Sequence, residues 1–100
     1  MSDLEDEIRE LRETTKRNRR QFLRTEVQTC FIAVERGQLA LSLGNTHEAR
    51  KELATATRGA EVTQRFLVEA MEEMPEIETK LAELKKALES LRLDLDRSPG

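Results

Sequence analysis

His47 and Cys30 are the only histidine and the only cysteine of the chain, so they are the first candidates for catalysis or metal binding. His47 stands beside Glu48, but no serine, cysteine or lysine is spaced to suggest a nucleophile that it would activate. A zinc site needs several His, Cys or carboxylate ligands, and the sequence offers His47 no such companions. We therefore interpret His47 as a surface residue.

Cys30 lies between Val27 and Val34 on one apolar helix stripe. A buried cysteine of this kind acts as a small hydrophobic residue and is generally inert. A single cysteine excludes an intramolecular disulfide and fits a reducing compartment. The sequence also lacks a Gly-rich phosphate loop and a Ser–His–Asp set. We expect a protein that is not an enzyme and has neither a cofactor nor a metal ion.

Two charged clusters are the other candidates for binding chemistry. The first consists of five glutamates around the predicted turn at Met74 and Pro75, namely Glu69, Glu72, Glu73, Glu76 and Glu78. Carboxylates bind hard cations such as calcium, but the spacing of an EF-hand loop is missing. A solvated turn is the preferred interpretation.

The second cluster is basic and contains five positive charges in nine residues with no acid among them: Lys16, Arg17, Arg19, Arg20 and Arg24. It is a candidate anion-binding segment for nucleic acid or an anionic membrane. Against this, 100° steps along a helix spread the five side chains around the axis, and the preceding segment is acidic. The net charge of −3 also argues against nucleic acid as a partner. A small nucleic-acid-associated protein is therefore the alternative function.

The composition indicates what kind of elements position these residues. Charged residues make up 37% of the chain and aromatic residues 3%, which is typical of long helices built from Leu, Ala, Glu, Lys and Arg. No run approaches the roughly 18 apolar residues that a membrane span needs. The N-terminus is acidic and unlike a signal peptide. These features predict a cytoplasmic protein that does not enter a membrane.

Apolar residues recur in alternating steps of four and three along most of the chain, the spacing of one helix face. The pattern predicts an all-α fold: an antiparallel helical bundle or coiled coil of three long helices, 3–43, 46–74 and 76–96, in one domain, 1–100. The first stripe slips in phase between Leu11 and Leu23. The first helix is therefore either continuous over about 60 Å or broken near 16–21.

Small or apolar residues at fixed spacing lie in and around the turn between the first two predicted helices: Gly37, Gly44, Ala49, Leu53 and Ala56. In these positions, residues 33–61 resemble a single tetratricopeptide repeat. The resemblance implies a closely packed antiparallel helical hairpin. Any such hairpin would contain the same residues, and this simpler interpretation is preferred. The chain departs from the family at Ala33, Ala40 and Glu61, and no second copy follows. The resemblance therefore implies no peptide-binding groove, because such grooves need stacked repeats.

The predicted first helix carries more apolar surface than two short contacts require, namely Phe22, Phe31, Ile32, Leu39 and Leu43. Its earlier residues Leu4, Ile8 and Leu11 have no assigned neighbour within a three-helix unit. We therefore expect a helical protein–protein interaction or oligomerisation module, either a homodimer or a partner of another helical protein. The candidate interface comprises Leu81, Leu84, Leu88, Leu91, Leu95, Phe22 and Phe31.

Overall fold

The protein is a bundle of three α-helices without a strand in the residues that the structure describes. This computed structural model describes residues 2–70 and 74–98, and the side chains of Ser2, Asp3, Arg12 and Ala70 also lie outside the description. Helix α1 is Ser2–Ser42, α2 is Thr46–Ala70 and α3 is Pro75–Arg97. The predicted all-α fold class is confirmed. Residue 74, the predicted end of the second helix, instead precedes α3 as its N-cap.

Helix α1 is continuous over 41 residues, so the alternative of a break near 16–21 is not realised. The sequence contains neither Gly nor Pro between Ser2 and Arg36, and nothing there removes a backbone hydrogen bond or relaxes the helical dihedrals. At 1.5 Å per residue the helix is about 60 Å long. It accounts for most of the longest dimension of the molecule, 69 Å.

The turn between α1 and α2 supplies hydrogen bonds to backbone groups at both helix ends. Gly44 has a φ of +80°, the left-handed conformation that glycine adopts without strain. The N–H of Asn45 donates to the carbonyl of Ala40, and that of Gly44 donates to Leu41. The Asn45 side chain then accepts a hydrogen bond from the N–H of Glu48 at 3.0 Å, so Asn45 is the N-cap of α2. Thr46 is the first residue of α2.

All helix pairs are in contact, and their order along the chain sets their directions. Cys30 and Gly37 of α1 lie against Gly59 and Ala49 of α2, so these helices run antiparallel. Gly37 also faces Leu91 of α3. Earlier in both helices, Arg24 of α1 contacts Glu76 of α3. Because the earlier residues of the two helices are paired with each other, and likewise the later ones, α1 and α3 are parallel. Helix α3 returns antiparallel to α2.

The core combines large side chains from α3 with small ones from α1 and α2. The buried residues of α3 are one isoleucine and five leucines. Those of α1 and α2 include Cys30, Ala33, Gly37, Ala40, Ala49, Ala56, Gly59 and Ala60. Because small residues let two backbones approach closely, α1 and α2 form a tight hairpin that the leucines of α3 cover. Thr63 is also fully buried, and its hydroxyl donates to the Gly59 carbonyl at 2.9 Å.

Candidate interaction surface

The predicted interface leucines lie in the core of the single chain. Leu81, Leu84, Leu88, Leu91 and Leu95 are all at most 7% exposed, because α1 and α2 together cover the stripe of α3. This corrects the expectation that they are available to a partner. The leucine stripe of α3 does form a helix contact, but with the other two helices of the same chain.

The two phenylalanines of the predicted interface lie on different sides of α1. Phe31 is half-buried and packs against the core beside α3. Phe22 remains 45% exposed, and its ring lies 5.4 Å from that of Phe66 on α2. Phe22 therefore marks the place where α1 first meets α2, at the open end of the bundle.

The N-terminal part of α1 projects beyond the bundle. Every described side chain of residues 4–18 is exposed, whereas Leu23 is the first fully buried residue of the helix. We call residues 4–18 the arm. It is about 22 Å long at 1.5 Å per residue. Helix α2 has 25 residues against the 41 of α1, so α2 ends before it can cover the arm.

The arm carries an apolar stripe without a neighbour among the described residues. Leu4, Ile8, Leu11 and Thr15 follow in steps of four, three and four, so their side chains share one helix face. The exposed fractions are 65% for Leu4, 43% for Ile8 and 68% for Leu11. With Lys16 and Arg19, three of them line an open surface depression of about 330 Å³.

The charges of the arm separate along its length. Its first turns carry the acidic tip, Glu5, Asp6 and Glu7. Its other end carries the basic root, Lys16 and Arg17. The segment between them contains two arginines and two glutamates and is neutral. An apolar stripe flanked by opposite charges at its two ends is suited to a helical partner with the reverse polarity.

The structure divides the predicted anion-binding segment of residues 16–24. Lys16 and Arg17 are exposed on the arm. Arg24, on the bundle itself, donates to a Glu76 carboxylate oxygen at 3.2 Å. Arg20 and Arg24 line one small depression with Met74, Pro75 and Glu76 at the start of α3. Part of the basic segment therefore faces the acidic turn of its own chain.

The remaining candidates offer little chemistry in the described residues. His47 is exposed in the first turn of α2. Burial, with a smaller contribution from Glu26, raises the pKa of the Cys30 thiol from 9.0 to about 11, so the reactive thiolate is disfavoured. Among residues 2–70 and 74–98, no three His, Cys, Asp or Glu side chains are grouped to hold a metal ion. Glu72 and Glu73 of the acidic cluster lie outside the described residues.

Apolar side chains are also exposed on the bundle. Ile32 and Leu39 lie on the outside of α1, exposed by 42% and 60%, and Leu43 lies in the turn after α1, exposed by 75%. An open groove of about 550 Å³ runs between α2 and α3 and includes Val68 and Leu88. The exposed side chains are dispersed and the groove lies between two helices that already pack together, whereas the arm stripe is continuous and its side chains are exposed on all described sides.

No family model, curated protein or solved structure matches the chain. The tetratricopeptide-like resemblance of residues 33–61 therefore stays a prediction. Over the part of the chain that the structure describes, none of the three helices combines the length and the apolar character needed to cross a membrane.

The projection of the arm beyond the bundle was not predicted from the sequence, although Leu4, Ile8 and Leu11 had no assigned neighbour within a three-helix unit and a signal for the arm was present. The predicted first helix was already longer than the predicted second helix, and a hairpin of unequal helices leaves one end uncovered. The phase slip between Leu11 and Leu23 marks the same boundary. It separates the stripe of the arm from the stripe that packs in the bundle.

Proposed function

We propose that this protein is a non-enzymatic, cytoplasmic helical module for protein–protein interaction, and that the arm of α1 is its docking element. The observation that carries the proposal is the exposed stripe of Leu4, Ile8 and Leu11 on the part of α1 that projects beyond the bundle. An apolar stripe one helix wide is the surface that a second amphipathic helix covers in a coiled coil.

The bundle supports this role mechanically. Residues 23–42 of α1 are held by α2 and α3, and the arm continues the same helix without a break. An isolated helix of about 15 residues is marginal in water, because its nucleation is costly. As an extension of an anchored helix, the arm avoids that nucleation step and presents its stripe in a preorganised conformation.

Site-specific photo-cross-linking in cells tests the proposal. A photoreactive phenylalanine derivative at position 11 is expected to give a covalent protein adduct that disappears when Ile8→Glu is added. The matched control places the same group at Ala54, an exposed position of α2, and is expected to give no such adduct. If position 11 yields no adduct, or if the adduct is indifferent to Ile8→Glu, the arm is not a docking element.

A further inference from the structure

We infer that the partner of the arm is the arm of a second copy of this chain, bound antiparallel. This inference rests on the proposed function and names the occupant of the same surface. It would make the protein a dimer of two bundles that point away from each other, joined through their arms.

Charge is the first argument. The acidic tip and the basic root lie at opposite ends of the arm, so a parallel pair would place like charges together at both ends. An antiparallel pair brings each tip towards the root of the other copy, and the same attraction occurs twice by symmetry. The arm is thus electrostatically complementary to itself in one orientation only.

The apolar spacing supplies the register. With Leu4 opposite Thr15 of the second copy, Ile8 lies opposite Leu11, and the two-fold axis passes between Arg9 and Glu10. The two helices overlap over about 12 residues, roughly 18 Å. The steps of four, three and four between these residues are the same in both chain directions, so each of them lies opposite another in the antiparallel pair. The tip then lies within about 8 Å along the axis of the other root, inside the Debye length of about 10 Å at 0.1 M salt.

The bundle itself prevents a longer overlap. Sliding the arms by one further heptad would place Leu4 against Phe22, but Phe22 already faces Phe66 of α2. The interface is therefore small, at the low end of specific protein contacts. We expect a dissociation constant on the order of 10–100 µM and a marked weakening at high salt.

Solution mass and shape of the full-length chain provide the basic test. Light scattering is expected to show a shift from monomer to dimer over that concentration range. Small-angle scattering of the dimer is expected to give a maximum dimension of about 120 Å, since two 69 Å molecules overlap only through their arms. Ile8→Glu should weaken dimerisation at least tenfold without changing helix content. The matched control Leu43→Glu, at the far end of the bundle, should leave it unchanged.

Charge reversal tests the orientation. One variant reverses the tip (Glu5→Lys, Asp6→Lys and Glu7→Lys), and the other reverses the root (Lys16→Glu and Arg17→Glu). Each variant alone brings like charges together and should weaken dimerisation at least tenfold. An equimolar mixture should form a heterodimer, because both contacts then join opposite charges. Wild-type dimerisation, its loss in each variant and its recovery in the mixture are expected together only for antiparallel pairing.

The outcomes separate this inference from the proposed function. A wild-type chain that stays monomeric at 500 µM, about five times the upper end of the expected range, overturns self-pairing. The function would then stand if position 11 still cross-links to a different protein. A dimer that survives Ile8→Glu, or that is no longer than about 80 Å, uses another surface and also overturns the inference. A monomer that gives no adduct in cells removes both.

Discussion

Gly59 of α2 lies directly against Cys30 of α1, and replacing it by alanine tests the packing of the hairpin. A Cβ atom at residue 59 would overlap with the Sγ atom of Cys30 and lie 3.0 Å from a carboxylate oxygen of Glu26. Cys30 is only 2% exposed, so its side chain has little room to move aside. Glu26 is half-buried and can rotate away. The contact with Cys30 therefore decides the outcome.

Two opposing contributions set the expected magnitude. Alanine is favoured over glycine in a helix interior by about 1 kcal/mol. Overpacking a filled core costs about 1–3 kcal/mol, and direct overlap with a buried sulfur belongs at the upper end. We expect Gly59→Ala to lower the free energy of unfolding by about 1–2 kcal/mol. For a domain of this size the Tm should fall by about 5–15 °C.

Removing the sulfur should reverse the sign of the effect. In a Cys30→Ala background, Gly59→Ala no longer meets Sγ, and only the helix preference of about 1 kcal/mol remains. Urea unfolding followed by far-UV circular dichroism, at one protein concentration, measures all four proteins of the cycle.

Gly37→Ala is the control for this cycle. Its Cβ would lie 2.8 Å from Leu91 Cδ2, away from Cys30, so its effect should be the same in both backgrounds. If Gly59→Ala is equally destabilising with and without the sulfur, the contact with Cys30 is not the cause and the reasoning fails.

Four further predictions follow from the hairpin and the basic root. Ala56 is fully buried, so Ala56→Leu should lower stability by about 1–3 kcal/mol, and an unchanged Tm would contradict the packing. Asn45→Ala removes the N-cap bond to Glu48 and should cost about 1 kcal/mol in urea unfolding. The pKa of Cys30 is raised from 9.0 to about 11 on folding, so above pH 9 the unfolded chain releases a proton that the folded chain retains. The contribution of the protonated thiol to the free energy of unfolding is complete below pH 9 and should be lost as the pH rises towards 11. This loss should be absent in Cys30→Ala. Lys16→Gln with Arg17→Gln should leave the Tm within about 1 °C, whereas loss of retention on immobilised nucleic acid at physiological salt would favour the nucleic-acid alternative.

The sequence by itself determined the helices and most of their ends. Steps of four and three along the chain place apolar residues on one face, and this local pattern depends only on helix geometry. Gly44, Asn45 and Pro75 act within a few residues of their own positions, which is why the turns were predicted close to where they occur. The leucine stripe of α3 from Leu81 to Leu95 was likewise identified, although it was assigned to an interface with a partner.

Tertiary structure decided which apolar faces meet each other and which remain free. The leucines of α3 and the residues Leu4, Ile8 and Leu11 of the arm look alike as stripes, yet the former are buried and the latter are exposed. The difference arises because α2 is 16 residues shorter than α1 and ends before it reaches the arm. Burial depends on the relative lengths and positions of all three helices, and periodicity within one helix cannot report it.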